Sequence, residues 1–109
     1  MTSCLGVRFD RAVRFFKKFA DFRVRTMRGK PDTEFAHVRE TPRGWLVVVN
    51  RDQDFDSAAD CLMHEVAHVL DWNKNGYEEA DGDQHRRSWG VIYSDLYRRY
   101  HEAAERGEI

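Results

Sequence analysis

Three residues in the middle of the chain, His64, Glu65 and His68, have the types and the spacing needed for metal-dependent hydrolysis. Residues four apart in an α-helix lie one turn apart on the same face, so both imidazoles can bind one zinc ion. Glu65 projects about 100° away from His64 around the helix and can act as a general base rather than as a ligand. This H-E-x-x-H pattern predicts a zinc hydrolase centre, provided that these residues form a helix.

The sequence around the motif favours that helix. Ser57 followed by Asp60 is typical of a capping box and predicts that the helix begins at Ser57. Apolar residues such as Leu62 and Val66 cover the sides that carry no histidine, which predicts a helix at the centre of the domain. The polar residues 73–76, which end in glycine, predict its end.

A catalytic zinc ion usually has three protein ligands, and His85 is the best candidate for the third. His85 lies four residues before Trp89 and continues the apolar stripe of a second predicted helix at residues 84–104. Carboxylates compete with it for this role: Asp71, Glu78, Glu79, Asp81 and Asp83.

Further residues near the motif have supporting roles in this interpretation. Asp71 lies about one turn beyond His68 on the same helix face and is better suited to orient a ligand histidine. Tyr77, Arg86 and Tyr93 are candidate donors to the oxyanion of the reaction, and the sequence does not choose among them.

The remaining patterns predict a single α+β domain over residues 1–109. Phenylalanines at helical spacing predict an N-terminal helix over residues 9–27. Residues 34–40 and 44–50 alternate or are rich in valine and predict a short antiparallel sheet. Strand 44–50 or its neighbour is expected at the sheet edge, where an extended peptide substrate can pair with it.

Charge is unevenly distributed along the chain. Residues 1–30 contain nine Lys or Arg against two Asp or Glu, a local net charge of +7, whereas residues 31–109 carry −8. Such asymmetry can mark residues 8–30 as a basic surface for nucleic acid or for an acidic partner, and binding to nucleic acid should weaken steeply with salt. The alternative, slightly favoured, is that this basic segment packs beside the acidic remainder of the chain.

The cysteine content and the hydropathy of the sequence indicate the cellular compartment. Cys4 and Cys61 are too few for a disulfide framework, and we expect both to be thiols, Cys61 as a small buried one. No apolar run reaches the length of a membrane span, and charged residues interrupt the N-terminal segment. These features predict a cytoplasmic protein without a membrane segment.

The chain resembles the SprT-like zinc metalloproteases, the catalytic type found in Spartan proteases. The resemblance covers about residues 45–100 and depends on the H-E-x-x-H motif at 64–68, followed after a loop by His85 and, four residues later, Trp89. It implies a small zincin-like fold, zinc as cofactor, three histidine ligands and Glu65 as the catalytic base. Arg86 stands where the family usually has glycine. The ImmA/IrrE-like peptidases share a strand leading into an H-E-x-x-H helix and imply a carboxylate third ligand.

Two classes of function follow from these patterns. The first is a zinc-dependent endopeptidase that acts on protein or peptide substrates. The second is a non-catalytic binding module that zinc stabilises, because a metal ion can supply folding energy to a small chain. A fourth protein ligand would close the metal site and favour the second class.

Overall fold

The computed structural model describes residues 5–28, 35–76 and 86–109. These residues form three helices and one three-stranded sheet, which confirms the predicted α+β class. In chain order the elements are α1 Val7–Phe16, β1 Arg23–Met27, β2 Ala36–Thr41, β3 Gly44–Asn50, α2 Phe55–Asn75 and α3 Arg87–Glu105.

The sheet is mixed, with β3 between β1 and β2. The β2–β3 hairpin is antiparallel as predicted, but β1 pairs with β3 in parallel, so the expectation of a purely antiparallel sheet is wrong. The valine-rich β3 is central rather than at an edge, because its residues from Leu46 onward are buried. The sheet edges are β1 and β2.

The predicted N-terminal helix is also shorter than residues 9–27. It ends at Phe16, and Arg23–Met27 form a strand instead. Helical spacing of the phenylalanines correctly marks the buried face of α1, which includes Phe9. The later residues Val24 and Thr26 are β-branched, and β3 offers them an open edge, so strand pairing overrides the helical pattern.

The histidine-bearing helix α2 is the central element, as predicted. It contacts both other helices and strands β2 and β3, and Leu62, Met63 and Val66 on it are almost completely buried. The helix begins at Phe55 rather than at Ser57, and its N-cap residue Asp54 makes no side-chain capping hydrogen bond. The predicted capping box is therefore wrong, because Ser57 already lies inside the helix.

Glycines follow the ends of α2 and α3, and the sequence predicts the one that follows α2. Gly76 and Gly107 have φ angles of 90° and 77°, which side chains rarely adopt. The start of the last helix was expected near residue 84; it begins at Arg87, and residues 84 and 85 lie outside the described residues. In the part of the chain that the structure describes, no helix has the length and hydropathy of a membrane span.

Candidate metal centre

His64 and His68 lie together on one face of α2, with ring centroids 5.0 Å apart. Two imidazoles that bind the same tetrahedral zinc ion at the usual Zn–N distance have centroids about 5 Å apart. The separation of the two rings is therefore compatible with a shared zinc ion. Glu65 is adjacent and only 8% exposed, and His68 is 2% exposed, so this part of the helix is largely shielded from solvent.

Two tryptophans enclose the imidazoles. Trp72 stacks on His68 at 4.8 Å, with an angle of 19° between the rings. Trp89, from the first turn of α3, lies 4.8 Å from the ring of His64 and 5.4 Å from that of His68. The Trp89 indole also donates a hydrogen bond of 3.3 Å to the backbone carbonyl of His64. The two helices are therefore joined at the histidine pair.

The sequence patterns do not single out Trp72, although its spacing of four residues from His68 places it on the same helix face. Trp45 of β3 packs against Trp72 at 5.3 Å. Its indole donates a 2.9 Å hydrogen bond to the side-chain oxygen of Asn73. The central strand thereby holds the aromatic ring that covers His68.

Asp71 links α2 to the start of α3. Its carboxylate is fully buried and accepts hydrogen bonds of 2.8 Å from Arg86 and 2.9 Å from Asn75. Burial opposes ionisation, but hydrogen bonds from Ser88, Arg86 and Asn75 outweigh it and lower the pKa of Asp71. Among the described residues its partners are these three side chains rather than either imidazole.

Arg86 also donates a 2.7 Å hydrogen bond to the carbonyl of Gly76, at the end of α2. The guanidinium of Arg86, at the start of α3, thus binds to the end of α2 through both Asp71 and Gly76. Two predicted site residues in that connection, Tyr77 and His85, lie outside the described residues, as do the four competing carboxylates at positions 78, 79, 81 and 83. Within ranges 5–28, 35–76 and 86–109, no three His, Cys, Asp or Glu side chains converge as a metal site.

Tyr93 is close to the histidine pair but has a different partner. Its hydroxyl donates a 2.6 Å hydrogen bond to Asp60, and its ring stacks on Trp89 at 5.0 Å. The ring lies 6.3 Å from that of His64. Burial and the neighbouring Asp60 carboxylate raise the pKa of Tyr93, so its hydroxyl keeps its proton and can serve as a donor.

Cys61 and His101 contact side chains outside the histidine pair. Cys61 is a half-buried free thiol whose sulfur lies 3.7 Å from the side-chain oxygen of Gln53. Burial, followed by the charge of Asp60, raises the pKa of this thiol. His101 is exposed, as predicted, and packs against Tyr97 at 4.2 Å. Cys4 lies outside the described residues.

The basic N-terminal residues form an exposed surface. Lys17 and Lys18 at the end of α1 are exposed, and so are Arg23 and Arg25 on the edge strand β1. Arg8 instead packs over the ring of Phe55 at 4.2 Å. Of the segment 8–30 that the charge pattern assigns to nucleic-acid binding, residues 29 and 30 lie outside the described ranges, and that assignment stays a prediction.

No protein-family model, curated protein or solved structure matches this chain.

Proposed function

We propose that the protein is a zinc-dependent metalloprotease that hydrolyses peptide bonds. The observation that carries the proposal is the pair His64 and His68, 5.0 Å apart on a central helix, with Glu65 beside them. The two imidazoles can each supply a nitrogen ligand to zinc, and the adjacent carboxylate can act as a general base. Hydrolytic zinc sites use this combination of groups.

We further propose His85 as the third ligand. Arg86, the next residue, is tied to Asp71 and to the carbonyl of Gly76, so the chain enters α3 beside the histidine-bearing helix. Trp89 lies four residues after His85 and faces both imidazoles. Because α3 begins at Arg87 and its N-cap Arg86 is extended, the support for a zincin-like, SprT-type arrangement of ligands is this closeness in sequence to Arg86 and Trp89 rather than a shared helix face. A carboxylate from residues 78–83 is the ImmA/IrrE-like alternative.

In this mechanism Glu65 moves the proton. A bound zinc ion would lower the pKa of water toward about 7 and polarise the scissile carbonyl. Glu65 accepts a proton from the attacking water and then delivers it to the departing amine. His64 and His68 hold their ring positions because Trp72 and Trp89 pack against them.

The oxyanion requires a donor, and Tyr93 is a described candidate close to His64. Its hydroxyl is protonated and its ring packs beside His64, but the proton is donated to Asp60 in the absence of substrate. Tyr93 would therefore have to exchange this partner for the substrate. Arg86 is committed to Asp71 and Gly76, which disfavours it for the same role.

A zinc-stabilised module without catalysis is the second candidate. The burial of His68 beneath two tryptophan rings favours it, because structural zinc sites are closed to solvent. In such a module zinc would hold α2 and α3 together and its removal would unfold the chain.

Metal removal distinguishes the two candidates. We expect a chelator to abolish cleavage of an unfolded protein such as casein, and one equivalent of zinc to restore it. Circular dichroism recorded in parallel reports the fold. If the chelator unfolds the chain and the zinc-loaded protein cleaves no substrate, the result would support the non-catalytic module and contradict the protease.

A further inference from the structure

A groove of about 580 Å³ runs away from the histidine pair between α2 and α3. One wall is the N-terminal half of α2, and the other is the middle of α3. Its lining residues are Asp56, Ala59, Asp60, Met63, Tyr93, Tyr97, Tyr100 and His101. A volume of this size is typical of ligand pockets.

The α3 wall is a row of aromatic rings at four-residue spacing. Its members are Tyr93, Tyr97 and His101, at successive centroid distances of 6.2 and 4.2 Å. Trp89, which is not a lining residue, packs on Tyr93 at 5.0 Å and connects this row to His64. Tyr97 is 49% exposed, so one of its large apolar surfaces faces solvent. Aromatic faces of this kind attract cations.

The α2 wall supplies negative charge. Asp56 and Asp60 lie one turn apart on α2, and both line the groove. Asp60 accepts the hydrogen bond from Tyr93 through one of its two carboxylate oxygens. Asp56 is exposed, and its charge acts on Tyr100 across the groove together with the opposite charge of Arg8.

We propose that this groove binds a lysine or arginine side chain of the peptide substrate, a few residues from the bond that is cleaved. The combination of carboxylates on one wall and ring faces on the other fits an extended cationic side chain. The same carboxylates repel phosphate, which argues against a nucleic acid in this groove. The substrate class rests on the proposed proteolytic function, whereas binding of the cation does not require turnover.

The test uses binding rather than cleavage. A disordered, fluorescently labelled peptide with one lysine is compared with the same peptide carrying norleucine, which keeps the alkyl chain and removes the charge. Both are titrated against the zinc-supplemented Glu65→Gln variant of the 109-residue chain. We expect the lysine peptide to bind about tenfold more tightly, and NMR shifts of the Tyr97 ring to follow its binding.

Two groove variants and one control locate the effect. Tyr97→Ala and Asp56→Asn should each remove most of the preference for lysine, since both side chains are exposed and their loss leaves the core intact. Val91→Ala serves as the control, because Val91 is 65% exposed on a different face of α3. We expect its preference for lysine to equal that of the parent protein.

The results separate this inference from the protease proposal. Equal binding of the two peptides, or a preference that survives both groove variants, overturns the inference. Cleavage of peptides by the wild-type chain without any preference for a basic residue also overturns it but leaves the protease proposal intact. If the protein prefers the lysine peptide in binding but the wild type cleaves no peptide, the inferred cation site would stand and the protease proposal would be wrong.

Discussion

Glu65→Gln should retain zinc and lose peptidase activity by about a hundred- to ten-thousandfold, the range that a positioned general base contributes. The amide has nearly the same shape as the carboxylate but cannot accept the proton from water. Because Glu65 is only 8% exposed, a near-isosteric replacement also avoids disturbing the buried helix. The measurement is kcat/KM for a peptide substrate at saturating zinc, together with zinc content per chain.

The matched control is Glu102→Gln, an equal change on the exposed surface of α3, where the carboxylate pairs with Arg98. Exposed pairs of this kind contribute little, so activity should remain within twofold, roughly. Full activity in the Glu65→Gln protein would remove Glu65 from the mechanism. Loss of zinc from it would instead indicate that Glu65 is a ligand.

Asp71→Ala should lower the free energy of unfolding by about 3–5 kcal/mol, the cost of removing one partner from a buried ion pair. Asp71 is completely buried and joins Arg86 and Ser88 at the start of α3 to Asn75 near the end of α2. Its removal leaves Arg86, which is 23% exposed, without its carboxylate. Urea denaturation of the wild type and the variant measures the difference.

Asp95→Ala is the comparison, because Asp95 pairs with Arg98 and Arg99 on the exposed side of α3. Its effect should be below about 1 kcal/mol. Equal destabilisation by the two variants would contradict the structural role of Asp71.

Acid should weaken the same link. The pKa of folded Asp71 is lower than its ordinary value of 3.8, so its contribution is complete above that pH and disappears as pH falls through the folded pKa. Asp71→Asn should therefore flatten this part of the acid unfolding curve.

Local patterns predict the elements whose neighbours in space are also neighbours in sequence. The β2–β3 hairpin and the helix around His64 and His68 were both predictable, because a short turn and helical periodicity leave few alternatives. The strand Arg23–Met27 was not, since its partner β3 lies more than twenty residues away. Only that pairing explains why a segment with helical spacing is extended.

In the candidate site too, features within one helix could be predicted from the sequence, whereas contacts between elements could not. The prediction of zinc chemistry depends only on the spacing of His64, Glu65 and His68 within one helix. The Asp71–Arg86 link and the stacking of Trp72 on His68 depend on how two helices and a strand meet, which no single segment encodes. Asp71 was predicted to orient a histidine; its described hydrogen bonds come from Asn75 near the end of α2 and from Arg86 at the start of α3.

The zinc content of the purified chain with and without His85 is the most direct test of the proposed centre. We expect one tightly bound zinc ion per wild-type chain, and a loss of affinity of at least about a hundredfold in His85→Ala, since removal of a ligand costs no less than removal of its outer partners. His101→Ala, a change to an exposed histidine farther along α3, should leave zinc binding unchanged. A wild-type chain that binds no zinc, or a His85→Ala protein that binds it as tightly as the wild type, would contradict the three-histidine centre.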